Sequence, residues 1–477
     1  MRREEAEKQT EAAVKDATPE RESFAMQDGK GNTLGTAPLR GLIFRMALPC
    51  VAAQLVNLLY NIVDRIYVGH IPEEGTMALA GLGITFPVLI LVMAFSNLIG
   101  MGGSNRASIA MGKGEYEGAE KIMGNCISMI LGLSVLLSAV FFFFQDSILS
   151  AFGASEATLP YAHDYLSVYL LGTFFVMITL GLNPFITNQG FAKTSMATTC
   201  IGAALNIALD PLFIYGLHMG VKGAALATVL SQAVSAAWVL AFLNGKRSML
   251  RIRLSAMKLE KAEVSSIISL GISPFVMNAT ECLIQLTFNN GMRTYGNDLY
   301  VSLMSIMFSI NQAVWMPIQG FAQGVQPIIG YNYGAGNIRR VWKSFYTMLA
   351  VCLACSVITV GTILLWPNAY LGLFTDQAKL VEMGIMPMRV FMFGMMFMGA
   401  QCACQQTFLG LGQAKVSIFI AMLRKVILLW PLALILPGIM NLGVWGLYLA
   451  EPISDCISVT VCTSLFFIKA KRKLLKE

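Results

Sequence analysis

Residues 220–227 read GVKGAALA and residues 443–450 read GVWGLYLA, one pattern written twice, 223 positions apart. Other marks recur at nearly the same displacement. Gly112, Gly114 and Lys121 return as Gly334, Gly336 and Lys343, the pair Ala192-Lys193 returns as Ala414-Lys415, and Pro49 returns as Pro274. A chain that repeats itself at about half its length of 477 residues is a duplicated unit, and the fold question becomes what one unit contains.

Each unit contains six apolar runs long enough to cross a bilayer, which needs about 20 residues of helix. Twelve helices are expected, at about 41–69, 76–105, 121–145, 160–187, 196–216, 221–243, 265–293, 299–326, 342–366, 382–409, 416–437 and 443–468. Composition agrees: 56% of residues are hydrophobic and only 13% charged, against about 25% charged in soluble domains. The fold class is all-α, a polytopic membrane protein of two pseudo-symmetric six-helix bundles, 39–243 and 265–468. A basic cytoplasmic linker, 244–264, joins them.

Six is even, so both bundles start on the same side and form a parallel repeat, with a binding site expected between them. Eighteen Lys and Arg residues fall in one set of connections, among them Lys113, Lys193, Arg339 and the six from Lys246 to Lys261; only Lys222, Arg293 and Lys379 fall in the other. Positive charge marks the cytoplasmic side, so both termini are expected there. Residues 1–38 carry eight acids and six bases up to Lys30 and no apolar core, which predicts a disordered cytoplasmic tail; 469–477 is a second, basic tail. No secretory signal is expected.

The net charge of +7 is thus a topology signal, not a nucleic-acid face. All ten cysteines lie in apolar stretches, where a thiol behaves as a small hydrophobe, so neither disulfides nor a structural metal site is expected. No P-loop, HExxH or GxSxG pattern occurs, and GYNYGAGN from Gly330 follows a helix rather than a strand. An enzyme is not expected, nor a cofactor; energy has to come from an ion gradient.

An ionisable group in hydrocarbon costs at least about 2.5 kcal/mol, so each needs a partner or a purpose. Five acids sit inside spans: Asp64, Asp210, Glu281, Glu451 and Asp455. Helix one reaches Asp64 shortly before its outer end, helix five reaches Asp210 at similar depth, and helix six returns with Thr228. Asn206 precedes Asp210 by one turn; Asn61 and Asn57 continue the stripe below Asp64. Two carboxylates with amide and hydroxyl oxygens can hold a desolvated Na⁺, and held close without a metal they can share a proton. The set Asp64, Asn206, Asp210 and Thr228 is therefore expected to bind the coupling cation.

The second unit is arranged differently. Asn289 stands at the Asp64 position, Glu281 lies nearer mid-membrane with Gln285 one turn on, and Glu451 and Asp455 occupy the positions of Thr228 and Gln232. Like charges at i and i+4 in low dielectric need compensation. Either one is protonated or cation-bound, or Arg424 and Lys425 on helix eleven complete a network, and Glu281, Gln285, Glu451 and Asp455 form a candidate second polar site. Asn57, Tyr60, Asn61, Asn183, Trp315 and Met316 are candidates for lining a substrate cavity, with Phe175 and Phe185 as further rings near it. The 29 methionines, several on helix ten, supply adaptable apolar surface. Prolines inside spans, Pro49 among them, permit kinks.

Four stretches together resemble one family: LPCVAAQLVNLLYNIVDRIYVGH from Leu48, GMGGSNRASIAMGKGEYEGAEK from Gly100, NIALDPLFIYGLHMGVKGAALAT from Asn206 and MPIQGFAQGVQPIIGYNYGAGN from Met316. This is the multidrug and toxic compound extrusion (MATE) family, in its MepA-like bacterial branch, and the likeness runs from about Leu39 to Phe467. The resemblance implies a two-lobed secondary active antiporter that exports cationic, amphipathic drugs in exchange for H⁺ or Na⁺, a route to antibiotic resistance. In related members a cation site is built from a helix-one Asp, a helix-five Asn and Asp four apart and a helix-six Thr, here Asp64, Asn206, Asp210 and Thr228. Pro49 matches a proline associated with bending of helix one, and Glu281 resembles an acid that another branch places on helix seven. Implied too are a multi-pass protein of the bacterial plasma (inner) membrane, a monomer whose partners are organic cations and lipid. The alternative is a lipid-linked oligosaccharide flippase of the wider superfamily, for which Arg65, Arg106, Arg389 and Arg424 are the basic candidates.

Overall fold

The computed structural model describes residues 33–72, 74–375 and 377–470. Twelve helices among them are long and apolar enough to cross a membrane. They are α1 Leu39–Gly69, α2 Gly75–Gly112, α3 Tyr116–Phe143, α4 Leu159–Asn188, α5 Ala192–Gly216, α6 Gly220–Asn244, α7 Lys261–Tyr295, α8 Leu299–Gly334, α9 Ile338–Leu365, α10 Ala378–Gly410, α11 Ala414–Ile439 and α12 Val444–Lys469. No strand occurs among the described residues. In hydrocarbon every backbone amide needs a partner, and continuous apolar runs of this length meet that need within themselves as helices.

The duplication is visible in the backbone. Gly114, Gly190 and Gly220 have φ of 82°, 93° and 56°, and their counterparts Gly336, Gly412 and Gly443 have 71°, 69° and 53°. These are left-handed turns that a side chain would strain, so the glycines recur because the same sharp turns recur. Gly112 and Gly334 meet where the two copies touch: a Cβ on Gly112 would strike the Tyr331 carbonyl, and one on Gly334 would strike the Ile109 carbonyl.

The lobes touch along three seams, α2 with α7, α1 with α8, and α2 with α8. All three are closest in the half of the membrane that carries the chain termini. Gly102 lies against Ile267 and Gly271, Gly271 against the Leu98 carbonyl, Gly324 against Ala47, and Gly320 against Cys50 and Val51. Phe95 and Phe275 pack at 4.9 Å between ring centroids, and Gln54 donates to Gln323 across 3.1 Å. Farther from the termini the same four helices line a cavity instead, through Arg65, Phe86, Asn289 and Ser305, so the lobes part toward the face away from the termini.

Two expectations about the connections are corrected. Residues 33–38, read as part of a disordered tail, are ordered: Thr33–Thr36 form a helical turn and Leu34 is 2% exposed. Leu34 lies near Gly190 of the first lobe, while its carbonyl accepts from Asn332 (2.9 Å) and Arg340 (3.1 Å) of the second; Arg340 also donates to the Ala37 carbonyl at 3.0 Å. One buried leucine carries the segment, against a polar background that hid it. The remainder of the expected tail, residues 1–32, and residues 471–477 of the basic tail lie outside the described residues. The linker is also shorter than 244–264, since α6 runs to Asn244 and α7 starts at Lys261. It is pinned to the first lobe by Arg253 on Glu120 (2.8 Å), by the Met249 amide on Gln189 (2.7 Å) and by the Glu260 amide on Asn125 (2.8 Å).

Leu34 bridges the lobes only while their terminus-bearing ends are together. Leu34→Ala should cost about 2 kcal/mol of that closed state, seen as a lower melting temperature in detergent with α-helical content unchanged. An unaltered melting temperature would contradict the bridge.

Candidate functional site

The first-lobe pocket is built by four helices. α1 brings Asp64 to within two turns of its end, and α5 brings Asn206 and Asp210, one turn apart and on one face. Beyond Pro211, which cannot donate into the ladder, α5 widens into a π turn over Leu212–Gly216. α6 contributes Thr228, and α4 backs the group with Tyr165 and Tyr169, stacked at 6.2 Å and 15°. Asp64 and Asp210 are both buried, at 8% and 0% exposure, and their carboxyl groups are in direct polar contact. The Asn206 amide, oriented to satisfy both its ends, donates to Asp210 Oδ2 at 3.0 Å and accepts from Thr228 Oγ1 at 3.3 Å. The phenols of Tyr60 and Tyr165 approach the same Thr228 hydroxyl. Asp64 Oδ1 is buried with no hydrogen-bond partner among the described residues. Two touching carboxyl groups and one free oxygen call for a single positive charge, a shared proton or a bare alkali cation.

The second-lobe group has a different logic. α11 widens into a π turn over Leu423–Leu429, and its first polar pair, Arg424 and Lys425, points to two different neighbours, as adjacent helical residues must. Arg424 faces α12: Nε donates to Asp455 Oδ1 at 2.8 Å and Nη2 to Glu451 Oε1 at 3.0 Å. Lys425 faces α7, with Nζ 2.6 Å from Glu281 Oε2, and Gln285 supports Glu281 from the next turn. Of the two readings left open by the sequence, the network is the one found. Asp455 and Glu451 share a guanidinium and neither stands as an isolated acid.

Removing the shared cation would leave two buried carboxylates one turn apart. Breaking a buried pair costs about 3–5 kcal/mol, so Arg424→Gln should lower the melting temperature and the yield of folded protein sharply. Arg424→Gln with Glu451→Gln should recover part of the loss. Equal stability of Arg424→Gln and wild type would show that the acids are compensated elsewhere.

Between the lobes lies a cavity of about 690 Å³. Asn57, Tyr60, Asn183, Trp315 and Met316 line it, as do Asn206, Thr228, Glu281, Gln285 and Glu451. Asn61 does not: its side chain is exposed and folds back along its own helix onto the Asn57 carbonyl at 2.7 Å. Asp64, Asp210 and Asp455 are not wall residues either. The first two sit behind Tyr60, Asn206 and Thr228, and the third behind Arg424. Phe185 is fully buried and Phe175 is off the wall. Pro49 is buried in an unbroken α1, one residue from the wall residue Cys50.

Reading the residues alone missed two features. Tyr165 and Tyr169 look in the sequence like ordinary span aromatics; only the packing of α4 behind Asp64 reveals them. A set of amides, Gln323, Gln326, Gln405 and Gln406, lines the closed end of the cavity. Glutamine inside a span is itself a signal there, since an amide in hydrocarbon needs partners just as an acid does.

Comparison with known proteins fits this picture. The MatE family model matches residues 49–212 and again 274–435, one match in each half of the chain. A curated relative, the multidrug export protein MepA of Staphylococcus haemolyticus (strain JCSC1435), is 26% identical over 425 residues, covering 89% of this chain and 93% of that protein. MepA of Staphylococcus aureus (strain MRSA252) is 27% identical over 421 residues, covering 87% and 91%. Among solved structures, a MATE in complex with MaD3S superposes with a TM-score of 0.86 at 24% identity, covering 94% of this chain and 99% of that one. An outward-facing multidrug resistance MATE family transporter of the MOP superfamily gives the same values. With twelve spans, two matched halves and a cavity between them, the chain is a multi-pass membrane protein and belongs to the MatE family.

Proposed function

We propose that this protein is a secondary active antiporter that exports cationic, amphipathic drugs or toxic compounds in exchange for H⁺ or Na⁺. The reading rests above all on the contact between Asp64 and Asp210 behind Asn206 and Thr228, which line the central cavity. Two facing carboxyl groups attract either an inorganic cation in the pocket or an organic one in the adjoining cavity, and filling the first weakens the hold on the second. That differential affinity is what exchange requires. Support also comes from the relatives named as multidrug export proteins.

The lobes rock about the glycine seams, exposing the cavity to one side and then the other. With the basic connections on the cytoplasmic side of a bacterial plasma membrane, as the charge bias favours, the conformation described opens outward. Organic cations and lipid are the partners; the working unit is the monomer, with no cofactor. For a flippase, an anionic headgroup would need free basic residues. Arg424 and Lys425 are engaged by acids, Arg389 donates to the Leu364 carbonyl and Arg106 is off the cavity wall; of the four candidates that leaves Arg65, on the wall over the Phe86 ring, and one base against the wall's acids favours the cationic substrate. In proteoliposomes, a fluorescent organic cation should move uphill when a pH or a Na⁺ gradient is imposed. Failure of both gradients to drive it would overturn the antiport reading.

A further inference from the structure

The second lobe holds an uneven number of charges on its cavity wall and directly behind it. Glu281, Glu451 and Asp455 supply three negative charges, and Arg424 and Lys425 supply two positive ones. Arg424 is saturated by two carboxylates. Lys425, with only 9% of its side chain exposed, is held by one carboxylate, and that carboxylate, Glu281, is 39% exposed toward the cavity. Glu451 is 5% exposed, lines the cavity, and has one oxygen, Oε2, buried with no hydrogen-bond partner among the described residues. A buried carboxylate with one oxygen left without a partner is costly, and a cation on the cavity side of Glu451 would lower that cost.

We propose that this wall is a charge-counting site for one monovalent organic cation, in which Lys425 acts as a tethered cation that already occupies Glu281. The substrate's cationic centre takes the one unmatched negative charge, beside Glu451. A dication would need a second carboxylate on this same wall, and Lys425 holds it. Lys425 is thus a specificity-determining residue that sets substrate valence by pre-empting an acid, a like charge working against the wrong ligand. Arg65 is the other base on the wall; it belongs to α1, near the open end, and sits over the Phe86 ring at 5.5 Å. The inference rests on the cationic-substrate reading and adds the number of charges to it.

Ethidium and propidium make the test, because they share one ring system and differ by one quaternary ammonium group. Binding of each to purified protein in detergent is read by fluorescence anisotropy. Wild type should prefer ethidium. Lys425→Met raises the deficit to two and should shift the propidium-to-ethidium affinity ratio at least about tenfold toward propidium. Glu281→Gln cancels the deficit and should weaken ethidium at least about tenfold. The double variant, Lys425→Met with Glu281→Gln, restores the wild-type count without a charged pair and should restore the preference for ethidium. A purely structural salt bridge predicts the reverse pattern: both single variants lose both dyes together, and the double variant recovers no selectivity. That pattern, or an unchanged ratio in Lys425→Met, overturns the inference while leaving the exporter reading intact. If wild type binds neither dye, the cationic-substrate reading and this inference fall together.

Discussion

Asp64→Asn and Asp210→Asn should each reduce gradient-driven export of an organic cation to the level of protein-free vesicles. The reason is thermodynamic. An ion gradient can do work only through an ion whose affinity differs between the two conformations or between the drug-loaded and drug-free states. In this chain the one pocket with two touching carboxyl groups among the described residues is Asp64 and Asp210. Changing either acid to its isosteric amide removes the negative charge but keeps the hydrogen-bonding shape next to Asn206, so the fold should survive. Downhill leakage of the dye should continue at a reduced rate, because the cavity wall is untouched. Accumulation ratios measured with the pH or Na⁺ gradient imposed would check this: both variants should stay at unity while wild type rises well above it.

Gly271→Val should abolish turnover for a different reason. A Cβ at 271 would be driven into the Leu98 carbonyl, and the neighbouring approach of Gly102 to Ile267 leaves α2 no room to withdraw. Backbone atoms cannot rotate aside as a side chain can, so the α2–α7 seam has to part. A penalty of a few kcal/mol against the closed seam is enough to shift a two-state equilibrium by about a hundredfold or more. Spin labels at Lys121 and Lys343, equivalent exposed positions of the two lobes, would report it in a background without native cysteines. The distance should lengthen in Gly271→Val and become a single population, with export reduced at least about a hundredfold. The repeat makes a second form of the prediction. Gly324, the counterpart of Gly102, presses on Ala47 in the equivalent seam, and Gly324→Val should act in the same direction.

Much of this arrangement could be read from the amino-acid order, for physical reasons that can be named. Twelve spans were legible because hydrocarbon tolerates only continuous helix, and the duplication in part because left-handed turns demand glycine at 114 and 336 and at 220 and 443. The grouping of Asp64, Asn206, Asp210 and Thr228 followed from depth alone, since residues at equal height on neighbouring helices are brought together when the bundle closes. What depth could not supply was azimuth. Asn61 lies at the right height yet its amide folds back onto the Asn57 carbonyl, and whether Glu451 and Asp455 were free or paired depended on the direction in which Arg424 leaves the π turn of α11. Leu34 was illegible for another reason: a single apolar residue in a polar segment carries no periodicity, and its seat exists only where both lobes contribute a wall.

The central claim is that an inorganic cation at Asp64 and Asp210 and an organic cation in the cavity exclude one another. The most direct test is ethidium binding to purified protein, by fluorescence, across a matrix of pH and Na⁺ concentrations, for wild type and for the variant carrying both Asp64→Asn and Asp210→Asn. The account predicts that one of the two ions weakens ethidium binding competitively in wild type and that the double variant is indifferent to it. Ethidium affinity independent of both ions, or an ion dependence that persists unchanged in the double variant, would contradict it.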